Sequence, residues 1–186
     1  MALTESNMLP LGTRAPEFSL LDVMTGDEIQ APAPGDFPAT LIMFICNHCP
    51  YVVHVLPGLL ALCQSYTKQG VRIIAISSND AVRYPADAPD KMKDLAMEQK
   101  FPFPYCYDES QEVARVYDAA CTPDFYVFYR DMRLAYRGRM DASRPGNSIP
   151  VTGSDLSTAL DAVLQGKSAP EIQYPSAGCN IKWKTD

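Results

Sequence analysis

Cys46 and Cys49, separated by two residues, are the side chains of this 186-residue chain best suited to chemistry. At the start of a helix, two thiols at this spacing can bring their α carbons to about 5.5 Å, a separation that a disulfide accepts. The bond could then form and break without moving the scaffold. The C-x-x-C spacing therefore favours a reversible redox dithiol.

The sequence places Cys46 where a buried strand ends and a helix begins. Unpaired backbone N–H groups and the positive end of the helix dipole would favour its thiolate. The pKa of a free cysteine is about 8.5, and values in C-x-x-C sites fall to roughly 3.5–7. We expect Cys46 to be substantially ionised at neutral pH and to act as nucleophile. Cys49, one turn deeper, is the expected resolving thiol that attacks the mixed disulfide.

Asn47 and His48, between the two cysteines, are expected to tune the site. His48 can supply a donor or a positive charge beside the thiolate, which would make the disulfide more oxidising. We expect a reduction potential between about −270 mV, the value of thioredoxin, and about −120 mV, the value of the strongest oxidant. Equilibration with glutathione measures that potential.

Two further cysteines are candidates for additional thiols. Cys121 lies two residues before Pro123 and either approaches the dithiol or fills the core of its loop. Cys179 lies in a polar C-terminal tail, which either folds back to resolve an oxidised Cys46 or only packs on the domain. Cys63 and Cys106 fit apolar patterns and are expected in the core.

The C-x-x-C spacing is also half of a common zinc site, but the sequence contains no second pair of cysteines. We therefore predict no structural metal site and no cofactor. A non-enzymatic copper or zinc carrier that binds through Cys46, Cys49 and His48 stays open as an alternative.

Composition excludes some partners. The formal net charge of −6 and the pI near 4.9 argue against binding to nucleic acid or to an anionic membrane. The N-terminal residues lack the features of a secretory signal, and no apolar run has the length of a membrane span. We expect a cytoplasmic protein whose partners are a disulfide-containing protein or a small thiol, and an unidentified electron donor.

Strand and helix patterns alternate along the chain, which predicts an α/β fold in a single domain over residues 1–186. Its core would span about 10–166 and its tail 167–186. Strands are predicted over 15–21, 40–45, 71–77, 105–107, 124–129 and 134–138, with a hairpin turn at 25–28. Helices are predicted over about 48–68, 89–99, 110–119 and 154–164, the first kinked at Pro57 and the last capped by Ser154 or Asp155.

Three sequence motifs carry a family resemblance. A strand, the run Cys46-Asn47-His48-Cys49-Pro50 and a helix, with Cys121-Thr122-Pro123 far downstream, resemble thioredoxin-like proteins. The opening Gly12-x-x-Ala15-Pro16-x-Phe18-x-Leu20 and the ending Gly178–Lys184 are similar to those of peroxiredoxin-like members, the alkyl hydroperoxide reductase/thiol-specific antioxidant relatives. The resemblance implies a thioredoxin-like fold with a central mixed β-sheet flanked by helices and an N-terminal β-hairpin extension.

The resemblance also implies roles for residues. Cys46 would be the nucleophile, Cys49 the resolving thiol, and Pro123 the cis-proline beside them. The backbone of Thr122 would be free to pair with an extended substrate strand.

Two departures from the family pattern concern the strand before the dithiol. Peroxiredoxins carry a proline and a threonine where this chain has Ala39 and Met43, so a peroxide-binding hydroxyl is missing. Thioredoxins bury an acid in this strand, whereas this chain has none between residues 36 and 46, so water, Thr40 or a residue from elsewhere must replace it. A thiol-disulfide oxidoreductase is therefore the favoured function, and a thiol-dependent antioxidant peroxidase is the alternative.

Overall fold

Strands and helices alternate along most of the chain. The structure is a computed structural model that describes residues 3–32 and 37–185. Its strands are β1 (Leu3–Glu5), β2 (Phe18–Leu21), β3 (Glu28–Ala31), β4 (Ala39–Phe44), β5 (Arg72–Ser77), β6 (Tyr105–Tyr107), β7 (Cys121–Thr122), β8 (Asp124–Tyr129), β9 (Leu134–Gly138) and β10 (Ala177–Asn180). Its α-helices are α1 (Pro50–Thr67), α2 (Pro89–Glu98), α3 (Glu112–Val116) and α4 (Ser154–Leu164), and a 3₁₀ turn spans Pro85–Asp87.

Five strands form the central sheet, in the order β6-β5-β4-β8-β9. The middle strand β4 pairs in parallel with β5 and antiparallel with β8, and all its residues are buried. A strand covered on both faces needs apolar side chains at successive positions, which explains its continuous apolar run. The predicted mixed sheet flanked by helices is confirmed.

The two faces of the central sheet bury separate cores. Leu41 and Met43 lie in a cluster with side chains of α1, α2 and α4. Ile42 and Phe44 lie in a second cluster with Tyr117, just after α3. Successive side chains of a strand point to opposite faces, so β4 contributes to both cores and holds its C-terminal end firmly in the middle of the fold.

The predicted hairpin is present, since β2 pairs antiparallel with β3. Helix α1 begins at Pro50, later than predicted, which leaves Cys49 as its N-cap; Pro57 lies inside it. Helix α4 corrects the sequence prediction of a Ser154 or Asp155 cap. Gly153, with φ of +68°, is the N-cap, because the chain enters this helix through a left-handed conformation that suits glycine.

A three-stranded sheet that the sequence did not predict has the order β1-β10-β7. In it, Cys179 of β10 lies opposite Thr122 of β7 and opposite Leu3 of β1. A Cβ atom at Gly178 would collide with the Thr122 carbonyl oxygen, so only glycine permits this close approach. The C-terminal segment is therefore held against β7 by backbone pairing.

An ion pair is buried between β8 and β9, the two strands that follow β7. Arg137 Nη2 lies 3.2 Å from Asp124 Oδ2, and both side chains are fully inaccessible to solvent. The Tyr126 hydroxyl also donates to this oxygen, at 3.0 Å, and Arg137 Nη2 donates to the Asp118 carbonyl oxygen. Burial raises the pKa of Asp124 to about 6, although Arg137 opposes this effect.

None of the helices in the described ranges is both long and apolar enough to span a bilayer.

The raised pKa of Asp124 predicts how stability depends on pH. Folded protein binds this proton more tightly than unfolded protein, so the contribution is favourable at low pH and is lost as pH rises from about 4 through about 6. The difference in unfolding free energy between wild type and Asp124→Asn should therefore fall between pH 4.5 and pH 7, by roughly 2 kcal/mol. Urea unfolding of both proteins measures it. A difference that is flat or increases over this range contradicts the prediction.

Candidate redox site

The two sulfur atoms of the C-x-x-C motif meet where β4 gives way to α1. Cys46 is the second residue after β4, and Cys49 is the N-cap of α1. Both are free thiols, with 1% and 0% of their surface exposed. A hydrogen bond links the two side chains. The structure thus brings together the predicted dithiol in its reduced form and shields it from solvent.

The electrostatics of this pair contradict the prediction that Cys46 is substantially ionised at neutral pH. The hydrogen bond to Cys49, burial and the nearby Asp87 carboxylate raise the pKa of Cys46 well above its ordinary value. The same bond, helped by bonds from Cys179 and Thr122, lowers the pKa of Cys49 to about 4 against the effect of burial. The negative charge of the reduced pair therefore lies on Cys49, because this sulfur occupies the helix N-terminus and receives the donors.

A buried acid reaches the motif from outside β4. Asp87, in the 3₁₀ turn, is fully buried, and its Oδ1 accepts hydrogen bonds from the backbone N–H groups of Asn47 (2.8 Å) and His48 (3.3 Å). Its Oδ2 accepts one from Asn79 Nδ2, also at 2.8 Å. Asp87 is thus a buried acid near the motif that comes from another element of the chain, and a role as proton acceptor for the buried thiol stays a prediction. Sequence reasoning did not select Asp87, whose only signal was its place in a proline-rich stretch before α2.

Asn47 and His48 both lie at the dithiol but interact mainly with its surroundings. Asn47 Nδ2 donates to the Ala86 carbonyl oxygen, and Asn47 Oδ1 accepts a bond from the Tyr105 hydroxyl. His48 Nδ1 lies 2.6 Å from Asp87 Oδ2, and its ring stacks on Tyr84 with the centroids 5.5 Å apart. A protonated His48 would be paired with a carboxylate, which weakens the influence on the thiolate that the sequence suggested.

The Thr122–Pro123 peptide bond is cis, as the resemblance implied. Thr122 Oγ1 lies 3.4 Å from Cys46 Sγ, and Cys49 Sγ lies 3.2 Å from the Thr122 carbonyl oxygen. The expectation that the Thr122 backbone is free for a substrate strand is wrong, because β10 of the same chain already pairs with β7 at this residue.

Cys121 and Cys179 differ in their relation to the dithiol. Cys179 is buried and hydrogen-bonds to Cys49, and burial, together with this bond, raises the pKa of Cys179 to about 12. Cys121 is also buried, and its Sγ atom points to the Pro123 carbonyl oxygen at 3.9 Å. Burial raises the pKa of Cys121 strongly. The structure therefore places Cys179, from the C-terminal segment, in contact with the site.

A possible ligand group for a metal lies at the same place. Ligand atoms of Cys46, His48 and Asp87 all lie within 4.8 Å of one another. Sulfur, nitrogen and oxygen donors suit zinc, but both Asp87 oxygens already accept hydrogen bonds from the motif and from Asn79. Metal binding through Cys46, Cys49 and His48 stays an untested alternative.

Comparison with known proteins agrees with this geometry. The AhpC/TSA family model matches residues 11–137, a range that contains both cysteines and the cis-proline. The chain belongs to the AhpC/TSA family. Helix α4 and strand β10 lie outside the matched range.

Solved structures extend the comparison to the whole chain. An uncharacterized conserved protein from Geobacillus kaustophilus is 54% identical, with a TM-score of 0.97, and the match covers 100% of this chain and 98% of that one. A hypothetical protein from Sinorhizobium meliloti 1021 is 44% identical, with a TM-score of 0.95 and coverage of 98% and 100%. No curated protein matches the sequence.

A more distant structure shows the general fold. A putative thiol:disulfide interchange protein DsbE from Chlorobium tepidum is 16% identical, with a TM-score of 0.65, and the match covers 84% of this chain and 99% of that one. The fold is thioredoxin-like, and fold and family together support a redox function for the thiols of this member.

The Asp87 carboxylate is expected to restrain the reactivity of Cys46. Asp87→Asn removes a negative charge near this thiol, so the pKa of Cys46 should fall. Its alkylation by iodoacetamide at pH 7 should then accelerate, by about tenfold if the pKa falls by about 1, because the thiolate is the species that reacts. Mass spectrometry of alkylated peptides over a range of pH measures the pKa.

Asp108→Asn is the matched control, because Asp108 is equally buried and bonds to Ser78 and Ala114 instead of the motif. A rate increase of the same size at every pH would indicate a loosened site and would contradict the electrostatic explanation.

Proposed function

We propose that this protein is a thiol-disulfide oxidoreductase whose working dithiol is Cys46 and Cys49. The observation that carries the proposal is the contact between the two thiols at the N-terminus of α1, beside the cis-proline. Asn47, His48 and Thr122 position or tune the pair in this proposal. The substrate is a disulfide in a protein or a small molecule, and a separate electron donor restores the thiols.

The chemistry follows from the position of the shared proton. Cys46 attacks a sulfur of the substrate disulfide while its proton passes along the hydrogen bond to the Cys49 thiolate. A Cys46 mixed disulfide forms, and the first substrate sulfur leaves as a thiolate that takes up a proton. Cys49 then attacks Cys46 Sγ, the second substrate sulfur leaves, and the two protein thiols have become a disulfide. Two electrons pass from the protein to the substrate.

Cys46 is the better candidate for the outer nucleophile, because it lies in the loop before α1, whereas Cys49 is the N-cap of the helix. Cys49 contacts the Thr122 carbonyl oxygen and Cys179, whereas Cys46 faces the Thr122 hydroxyl. Both sulfur atoms are covered in the reduced protein, so attack on any substrate disulfide requires a local opening.

Single-turnover assays with oxidised glutathione test the roles of the two thiols. Cys46→Ser should abolish oxidation of the protein, because the attacking thiol is gone. Cys49→Ser should stop after the first step and retain one glutathione on Cys46, visible in the intact mass. Cys63→Ser is the control, because Cys63 is fully buried on the core-facing side of α1. Full exchange activity of Cys46→Ser would show that the assignment is wrong.

A thiol peroxidase is the second candidate, and one contact favours it. Met43 stands where peroxiredoxins have a hydroxyl, but Thr122 brings a hydroxyl to 3.4 Å from Cys46 Sγ from a different strand. In this proposal peroxide oxidises Cys46 to a sulfenic acid with release of water, and Cys49 condenses with it to form the disulfide and a second water.

Stopped-flow reaction with hydrogen peroxide tests the peroxidase proposal. Thr122→Val removes the hydroxyl and should slow oxidation of Cys46 by about tenfold or more, the effect of losing one hydrogen bond to a charged group. Thr122→Ser keeps the hydroxyl and should restore most of the rate. A wild-type rate equal to that of an ordinary free thiol would remove this candidate.

A further inference from the structure

Cys179 lies against the dithiol in a position fixed by the backbone. Its strand β10 pairs on one side with β7 and on the other with β1, and Cys179 itself lies opposite Thr122. Gly178 fits closely against the Thr122 carbonyl oxygen. The next part of the segment is held as well, since Lys182 N–H donates to Asn79 Oδ1 at 2.8 Å. Backbone pairing therefore fixes the position of Cys179 within the site.

Two other thiols contact Cys49 from different elements of the fold. The Cys46 side chain hydrogen-bonds to it from the motif, and the Cys179 side chain does so from β10. Thiol-disulfide exchange requires this arrangement, in which a third sulfur can approach one sulfur of an existing disulfide. Cys121, in the neighbouring strand, has its sulfur directed to the Pro123 carbonyl oxygen.

We propose that Cys179 is a third redox-active thiol, which exchanges with the Cys46–Cys49 disulfide by attacking Cys49 Sγ. The Cys179 thiolate forms a bond to Cys49 Sγ, the Cys46–Cys49 bond breaks, and Cys46 leaves as a thiolate that takes the proton lost by Cys179. The step is an isomerisation, so it needs no additional oxidant or reductant. It rests on the proposed function, which supplies the first disulfide.

The exchange moves the oxidised bond from the motif to the C-terminal strand. Cys46 becomes a free thiol again while the protein still holds the two oxidising equivalents as a Cys49–Cys179 disulfide. Cys46 can then form a mixed disulfide with a further substrate and release one substrate thiolate, and this mixed disulfide persists until the electron donor reduces the Cys49–Cys179 bond that joins α1 to β10.

Peptide mapping of oxidised protein tests the exchange. Folded, reduced wild type is treated with one equivalent of diamide, which takes two electrons and two protons from a pair of thiols, and is then acidified, alkylated and digested with trypsin without reduction. Cys46 and Cys49 fall within peptide 15–68, whereas Cys179 falls in peptide 168–182. We expect an internal disulfide in the first peptide together with a cross-link between the two peptides, located at Cys49 by fragmentation.

The exchange should also accelerate with pH. It requires the Cys179 thiolate, and burial raises the pKa of Cys179 above its ordinary value, so the cross-link should form progressively faster as pH rises from 6 to 9.

Three variants sharpen the result. In Cys46→Ser the competing thiol is absent, so diamide should give the cross-link between peptides 15–68 and 168–182 as the main product. Adding Cys179→Ser should abolish it, and adding Cys121→Ser instead should leave it in place. The peptide map of wild type decides the test even if a variant does not fold.

Failure of this inference is distinct from failure of the proposed function. A wild type that forms the internal Cys46–Cys49 disulfide but not the cross-link overturns the role of Cys179 alone. Absence of the internal disulfide and of the cross-link in wild type overturns the redox dithiol itself.

Discussion

The arrangement of the three thiols depends on one residue, Thr122. Its hydroxyl lies 3.4 Å from Cys46 Sγ, its carbonyl oxygen lies 3.2 Å from Cys49 Sγ, and its strand pairs with Cys179. The three thiols come from a loop, a helix N-terminus and a C-terminal strand, which have no local reason to meet. Because a single backbone unit contacts or pairs with all of them, their relative positions are fixed together.

Two sets of groups have opposite effects on the pKa values of the dithiol. The N-terminus of α1 and the surrounding donors stabilise a thiolate on Cys49, whereas Asp87 disfavours one on Cys46. Asp87 can remain buried because backbone N–H groups of the motif and Asn79 satisfy its oxygens. The carboxylate that holds the turn of the motif therefore adds to the effects of the Cys49 hydrogen bond and of burial, which together raise the pKa of Cys46.

The C-terminal segment is part of the site in this member of the AhpC/TSA family. It pairs with β7 at Thr122, brings Cys179 to Cys49 and reaches Asp87 through Asn79. The family match ends at residue 137, before this segment begins, while the two full-length structural relatives match nearly the whole chain. The dithiol and the cis-proline thus lie within the range that the family model matches, whereas the strand that covers them lies outside it.

The sequence alone determined the sheet, the helices and the dithiol, because these depend on local patterns. The apolar run of β4, the periodicity of α1 and the spacing of Cys46 and Cys49 each encode a feature within a few residues. Only the tertiary structure showed which of the two cysteines has the lowered pKa, and that Asp87 and Cys179 lie at the dithiol. Asp87 and Cys179 lie 41 and 133 positions after Cys46, and nothing in their local sequence shows that they approach it. Only the packing of the 3₁₀ turn and the pairing of β10 with β7 place them there, and a pKa depends on the distances that this packing sets.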